Sequence, residues 1–214
     1  MQADARRSED TWPETQDNKL FRRQGEERED CVKIIVGITG SSGAAYALDF
    51  LKKCPDDKFL IVSTWGKVLL RDELGISEKE LKPYVKRSYS DDDLTAPMAS
   101  GSNAFDVFVI LPASTSTVGK IASGLGDTLI TRTAQVCLKE RYKLVVCVRE
   151  TPMSTLSLEQ CARLSGYGAV IMPISPPMYF VPKTVEEYVG AFTDKVLGEI
   201  GVRKQQGWRS EELE

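Results

Sequence analysis

Short apolar runs rich in β-branched residues alternate along the chain with longer stretches whose apolar residues have helical spacing. The short runs predict five buried strands, at residues 32–38, 59–63, 107–111, 144–148 and 169–172. The helical spacing predicts helices at residues 42–53, 67–73, 117–123, 128–140, 157–165 and 185–200. Strands that alternate with helices indicate an α/β fold: a doubly wound, mostly parallel sheet with helices on both faces, in a single Rossmann-like domain.

Four segments lack either pattern. Residues 1–30 carry many charges, with acidic residues in excess, and predict a disordered or loosely docked arm ahead of a domain at 31–202. Residues 76–103 are polar and are interrupted by Pro83 and Pro97, which predicts a long connection of the kind that often has a functional role. The proline-rich residues 174–182 are predicted to be irregular, and residues 203–214 form a C-terminal tail.

Composition limits the chemistry. The chain has no histidine, which excludes His-based triads, His metal ligands and His general bases, and no metal-ligand cluster is predicted. A net charge of −3 without a basic stripe argues against a nucleic-acid partner, and no apolar run is long enough to span a membrane. Five cysteines without a C-x-x-C pair indicate reduced thiols in a cytoplasmic protein, with a mitochondrial location left open.

The residues that follow the predicted strands carry the candidate chemistry. In a parallel sheet the carboxyl ends of the strands meet along one edge, where ligands bind. The first strand leads into a glycine- and hydroxyl-rich turn at residues 37–43, and the second into a hydroxyl pair at 63–64. Four consecutive hydroxyl residues follow the third strand at 114–117. A charged pair at 149–150 follows the fourth strand, and an apolar aromatic turn at 172–180 follows the fifth. Each segment alone is also compatible with a capped turn, a salt-bridged loop or a packed wall. Five such segments on one edge indicate a shared pocket for a phosphorylated, planar ligand.

At these residues the sequence resembles the flavin prenyltransferases of the UbiX type, a branch of the homo-oligomeric flavin-containing Cys decarboxylase-like superfamily. The resemblance covers about residues 32–202, and Arg149-Glu150-Thr151-Pro152 and the turn from Met172 to Tyr179 are its most specific parts. The other matching stretches occur in the family's order, at residues 39–43, 99–102, 112–117, 132 and 138–141.

The resemblance implies a metal-independent flavoprotein that transfers a dimethylallyl group from dimethylallyl phosphate to N5 and C6 of reduced FMN. The product, prenylated FMN, serves a partner decarboxylase. The family also implies a homo-oligomer built from trimers, as large as a dodecamer.

Roles for single residues follow from the same resemblance. FMN is expected at Gly40, Ser41, Ser42, Ser63, Arg149 and the run Ser114, Thr115, Ser116 and Thr117. Ser42 is expected to relay the proton of flavin N5, and Glu150 to protonate the departing phosphate. Tyr179 and Lys195 are expected to hold the prenyl phosphate, which Arg132 and Lys139 reach from a neighbouring subunit. A carboxyl group in the role of Glu150 needs apolar surroundings that raise its pKa.

One position departs from the family pattern. Five positions before the Ala99-Ser100-Gly101-Ser102 run, where the family often has an aromatic residue, this chain has Leu94. A transient allylic cation is stabilised by a π-face, so the flavin ring, Tyr179 or Trp208 has to supply it. A non-catalytic FMN-binding or carrier protein therefore remains an alternative. A flavin-dependent cysteine-peptide decarboxylase is another, although that branch relies on a histidine that this chain lacks.

Overall fold

Six parallel strands form the centre of the molecule, in the order β3-β2-β1-β4-β5-β6. The computed structural model describes residues 32–203. The strands are β1 Lys33–Ile38, β2 Asp57–Val62, β3 Arg87–Ser90, β4 Val107–Ala113, β5 Lys143–Val148 and β6 Val170–Pro173. The helices are α1 Ala44–Lys53, α2 Thr64–Leu74, α3 Thr115–Ala122, α4 Leu129–Glu140, α5 Thr155–Gly166 and α6 Val185–Glu199. Two 3₁₀ helices, Glu78–Tyr84 and Pro97–Ala99, lie on either side of β3.

Helices cover both faces of the sheet. The core on one face is built from α1, α6 and Leu70 of α2, packed on the side chains of Ile34, Val36 and their neighbours in register. The core on the other face is built from α3, α4 and α5, packed on Ile35, Phe108 and their neighbours. Successive residues of a strand point to opposite faces, so strands covered on both sides are apolar throughout. The predicted doubly wound α/β fold is confirmed.

The connection predicted at residues 76–103 contains a strand that the sequence analysis missed. This segment contains both 3₁₀ helices and the sixth strand, β3, which pairs with β2 at the edge of the sheet. The residues of β3 read Arg-Ser-Tyr-Ser and are half-buried or exposed. An edge strand with one neighbour needs no apolar run, so its sequence lacks the pattern by which the buried strands are found.

The predicted end of the third strand, at residue 111, is wrong, because β4 continues through Pro112 to Ala113. Proline lacks the N–H group that a strand donates to its neighbour. The β4–β5 pairing accommodates this with a register shift between Ile110 and Ala113, and the Leu111–Pro112 peptide bond is cis. Helix α3 begins at Thr115, two residues before its predicted start, with Ser114 as its N-cap.

The described cysteines, Cys54, Cys137, Cys147 and Cys161, are all free and buried. Burial raises the pKa of the Cys137 and Cys147 thiols above its ordinary value, because a thiolate is poorly solvated in the core. Between residues 32 and 203 no helix is both long and apolar enough to cross a membrane. The predicted arm at residues 1–30, Cys31 and Trp208 lie outside the described residues.

Candidate active site

Thr39 joins the ends of β1 and β4. Its hydroxyl donates a hydrogen bond to the Pro112 carbonyl at 2.9 Å and accepts one from the Ser114 N–H at 2.8 Å. Its own N–H donates to the same Pro112 carbonyl at 3.2 Å. The side chain is buried, so these bonds are shielded from water. The strand order reverses between β1 and β4, and such switch points are where open α/β sheets bind ligands.

Ser41 brings the end of β5 to the same place. Its hydroxyl donates to the Arg149 carbonyl at 2.7 Å, and the Arg149 N–H donates to the Ala113 carbonyl at 3.2 Å. One strand further along the sheet, the Ile174 N–H donates to the Val148 carbonyl at 2.8 Å. The predicted convergence of the strand ends on one edge is therefore observed. The Ser41 hydroxyl thus donates its proton to a backbone carbonyl, and this bond holds Arg149 in place.

Glycine is required at two positions of the first turn. A Cβ atom at Gly40 would lie 2.4 Å from Cβ of Trp65, far inside van der Waals contact. Gly43 has a φ of 120°, which residues with a side chain rarely adopt. Glycine at position 40 thus lets the turn pack against Trp65, and Gly40 itself is exposed, whereas Ser41 is buried.

Two of the predicted FMN hydroxyls serve as helix caps. The Ser63 hydroxyl accepts from the Gly66 N–H at 3.0 Å at the start of α2, and the Ser114 hydroxyl accepts from the Thr117 N–H at 3.3 Å at the start of α3. Thr115 and Ser116 stand in the first turn of α3, half-buried and exposed respectively. Hydroxyl groups beyond the one that caps, beside free N–H groups of a helix start, suit a phosphate.

Glu73 is a site residue that sequence reasoning missed. From the last turn of α2, its carboxylate accepts hydrogen bonds from the Gly43 N–H at 2.9 Å and the Ala44 N–H at 2.8 Å. An anion at the first N–H groups of α1 is the arrangement that a helix start favours. Nothing in the sequence around residue 73 predicts a contact with residues 43 and 44, because the pair is formed by two helices.

Ser42, Arg149 and Glu150 lie in the turns that follow β1 and β5. Ser42 is half-buried, and its hydroxyl forms no hydrogen bond with any other residue in the range 32–203. Arg149 is exposed, and its positive charge opposes the increase that burial causes in the pKa of the nearby Tyr46 phenol. Glu150 is exposed too, and its Oε1 accepts from the Thr151 N–H at 3.0 Å. The apolar surroundings that its predicted role needs are not provided by the single chain.

Tyr179 and Lys195 lie on neighbouring segments of one face. The Tyr179 ring packs against Phe180 with the ring centroids 4.4 Å apart, in the predicted irregular turn before α6. Lys195, exposed on α6, lines a cavity of about 530 Å³ together with Phe180 and Pro182. Asp49 and Lys53 of α1 line the same cavity and form an ion pair at 2.9 Å.

Arg132 and Lys139 lie on α4, on the opposite face of the sheet from α1 and α6. Both side chains are exposed. Lys139 pairs with Glu140 at 2.7 Å and lines a second cavity, of about 490 Å³, with Leu138 and Tyr167. Because seven residues of helix separate them, the two positions are roughly 10 Å apart along the axis. Within one chain the structure therefore does not bring these two cations to the face that carries Lys195.

Comparison with known proteins identifies the family. Residues 22–196 match the Flavoprotein family. Over 172 residues the chain is 41% identical to the flavin prenyltransferase UbiX of Thermoplasma acidophilum, an alignment that covers 80% of this chain and 96% of that protein. The chain belongs to the flavin prenyltransferases.

Solved structures of flavin prenyltransferases and their relatives have the same fold. AnUbiX (PadA1), solved in complex with FMN and dimethylallyl pyrophosphate, superposes with a TM-score of 0.79 at 29% identity, over 84% of this chain and 100% of that one. A dodecameric FMN-dependent UbiX-like decarboxylase from Escherichia coli O157:H7 gives a TM-score of 0.78 at 33% identity, over 83% and 100%. The described residues fit the FMN expected of this family, because the exposed Gly40, surplus hydroxyls at the start of α3 and the exposed Arg149 lie at one switch point.

Proposed function

We propose that this flavin prenyltransferase transfers a dimethylallyl group from dimethylallyl phosphate to N5 and C6 of reduced FMN, and so makes prenylated FMN for a partner decarboxylase. The observation that carries the proposal is the meeting of three segments at the switch point: the Gly40–Ser42 turn, the start of α3 and Arg149. Bound reduced FMN supplies the nucleophile. The chain's own residues bind, orient and move protons.

Binding of the flavin phosphate falls to α3 and Arg149. Thr115 and Ser116 add hydroxyl donors to the free N–H groups of the first turn, and the Arg149 guanidinium neutralises negative charge. The N–H groups of Gly43 and Ala44 are already bound to Glu73. The first turn therefore contributes an open backbone at Gly40 and the Ser42 hydroxyl, which we assign to the N5 proton.

Departure of the donor's phosphate calls for neutralised charge and a proton. Lys195 and Tyr179 contact the phosphate on one side, and Arg132 and Lys139 of a neighbouring chain on the other. Glu150 gives the proton, which turns the phosphate into a better leaving group. Because the Glu150 carboxyl is exposed in the single chain, its desolvation has to come from the flavin, the donor and the neighbouring chain together.

The neighbouring chain is part of the proposal. The E. coli relative is described as dodecameric, and we propose a homo-oligomer built from trimers for this chain. The division of the cations between opposite faces of the sheet supports it, because two copies are needed to bring α4 of one against α6 of the other.

Anaerobic incubation with reduced FMN and dimethylallyl phosphate, followed by mass spectrometry, tests the reaction. We expect a flavin heavier by one C5 unit, and none when the donor is omitted. FMN that binds and stays unchanged with every short prenyl donor would show a carrier instead of a transferase. The donor series also reports whether Leu94 alters the preferred chain length.

Glu150→Gln tests the assigned acid. The amide keeps the size of the side chain but cannot donate the proton, so we expect transfer to slow on the order of 10²-fold or more. FMN affinity, measured by fluorescence quenching, should stay close to that of the wild type because Glu150 is not among the FMN contacts. Loss of FMN binding in this variant would contradict the assignment.

A further inference from the structure

Asp91 connects the start of α4 to the segment that follows the edge strand. Its carbonyl accepts a hydrogen bond from the Leu129 N–H at 2.6 Å, and its Oδ1 accepts one from the Ile130 N–H at 2.9 Å, across 39 residues of chain. The first N–H groups of a helix have no partner inside the helix. Thr128 caps α4 from within, by accepting from the Thr131 N–H. Asp91 supplies a second cap that comes from another segment.

The segment from Asp91 to Ala99 is held by successive turns. The Ala96 N–H donates to the Asp93 carbonyl at 3.2 Å, and the Ala99 N–H donates to the Ala96 carbonyl at 3.0 Å. Ala96 and Met98 are buried in the same core as α4. Because close-packed groups transmit a displacement instead of absorbing it, we expect a shift at Asp91 to reach Ala99.

Ala99 contacts α4 again, at Arg132. The Arg132 Nε donates to the Ala99 carbonyl at 3.3 Å. A guanidinium group carries five N–H donors, so this bond orients the group and leaves its terminal nitrogens available. No carboxylate in the part of the chain from 32 to 203 forms an ion pair with Arg132. The group is therefore oriented by a carbonyl and still carries an unneutralised charge.

We propose that Asp91 is a positioning residue for Arg132. The Asp91 cap and the Arg132–Ala99 bond fasten the segment to α4 at two points, and the second point sets the direction of the guanidinium. The anion that this guanidinium meets is the phosphate of the prenyl donor, and in this respect the inference rests on the proposed function. Without the Asp91 carboxylate, the segment keeps the bond from the Leu129 N–H to the Asp91 carbonyl but loses the bond from the Ile130 N–H. The segment then holds the Arg132 guanidinium less firmly, and the phosphate binds less tightly.

Asp91→Ala, Asp91→Asn and Thr128→Ala form a matched set. We expect Asp91→Ala to raise the KM for dimethylallyl phosphate several-fold, with little change in kcat or in FMN affinity. Asp91→Asn should restore the KM, since the amide oxygen accepts from the Ile130 N–H as the carboxylate does. Thr128→Ala removes a cap from the same helix end, together with the Thr128 hydroxyl that faces the Asp91 carboxylate, but it keeps both backbone N–H bonds to Asp91. It should therefore lower thermal stability without changing the KM. An unchanged KM in Asp91→Ala, or an equal rise in Thr128→Ala, overturns the proposal.

A double-mutant cycle with Arg132→Lys identifies the route of the effect. Lysine lacks the Nε–H that reaches Ala99, so Asp91→Ala should add no further rise in KM to Arg132→Lys. Two rises that multiply would show that Asp91 acts independently of Arg132, and would refute the inference.

Calorimetry of dimethylallyl phosphate binding to the FMN-loaded protein supplies a readout that needs no turnover. We expect a several-fold loss of affinity in Asp91→Ala and recovery in Asp91→Asn. If the protein binds the donor with these affinities but transfers no prenyl group, the transferase proposal is wrong and the positioning role of Asp91 stands. If wild type and Asp91→Ala bind the donor equally well, the positioning role is wrong and the transferase proposal stands. If the donor does not bind at all, both proposals are wrong.

Discussion

Helix capping and ligand binding draw on the same kind of group at these strand ends. Ser63 and Ser114 accept hydrogen bonds from backbone N–H groups of α2 and α3, and Ser41 donates to a carbonyl. Only the Ser41 hydroxyl has given its proton to the backbone, because a capping hydroxyl that accepts from an N–H group still has a proton to donate. The hydroxyls of Ser42 and Ser116 are not tied to a cap, so they are the ones that can turn most freely toward a ligand.

Asp91 gives the clearest pH dependence among single residues. The pKa of its carboxyl is raised above the ordinary value, mainly because burial disfavours the charged form, while the hydrogen bonds from Ile130 and Thr128 oppose the increase. A carboxyl group whose pKa is higher in the folded than in the unfolded chain stabilises the folded protein at pH values below its pKa in the unfolded chain. This stabilisation is lost as the pH rises through the pKa of the group in the folded protein. Asparagine cannot ionise, so Asp91→Asn avoids a buried charge at every pH. Near neutral pH we therefore expect the variant to unfold at a higher temperature than the wild type.

Thermal unfolding followed by circular dichroism measures this difference. The advantage of Asp91→Asn should shrink as the pH falls toward about 4, the ordinary pKa of an aspartate. Asp91→Ala is the control, because it removes the acceptor altogether and should destabilise at every pH. A wild type that is the more stable protein at neutral pH would be inconsistent with the direction of the pKa shift.

Among the elements, the junction of β1 and β4 depends on one buried hydroxyl. Thr39→Val keeps the shape of the side chain, but it leaves the Ser114 N–H without its acceptor and removes one donor to the Pro112 carbonyl. We expect a loss of about 1–3 kcal/mol in the free energy of unfolding, measured by urea denaturation. FMN affinity should fall too, since Ser114 begins the turn that leads into α3. Thr39→Ser keeps the hydroxyl and should retain most of both properties.

The buried strands and most helices are predictable because apolar spacing and capping residues are local signals. The edge strand β3 is not, since half-exposed residues such as Ser88 and Tyr89 carry no apolar run. The continuation of β4 through Pro112 depends on a register shift against β5, a property of two strands together. Single-strand patterns do not contain that information.

The candidate site divides in the same way. Ser42, Arg149 and Glu150 follow predicted strands and are therefore found in the sequence. Glu73 and Asp91 act on N–H groups of other elements, 29 and 39 residues away respectively. Nothing in the residues around them marks the partner, because the contact exists only after the helices have packed.

At the scale of the whole molecule, the cations assigned to the donor phosphate lie on two faces. Lys195 is on α6 and Arg132 is on α4, with the sheet between the two helices. If a complete site combines α6 of one chain with α4 of another, two inactive variants can complement each other.

Mixed oligomers of Glu150→Gln and Arg132→Ala subunits test this arrangement. Each variant alone should transfer poorly, but in randomly assembled mixtures about a quarter of the sites combine an intact Glu150 with a neighbour's intact Arg132. Transfer activity after co-refolding, compared with an unfolded-and-refolded sample of each variant, measures the gain. Mixed oligomers that remain as inactive as their parents would mean that each chain completes its own site.

The Glu73 carboxylate affects whether the chain can fold before it binds flavin. Because it already occupies the N–H groups of Gly43 and Ala44, the start of α1 needs no phosphate from solution to complete its hydrogen bonds. The chain can thus reach its folded form before any flavin arrives. Flavin entry and release then become repeatable steps on a folded protein, which suits a protein whose flavin is its substrate.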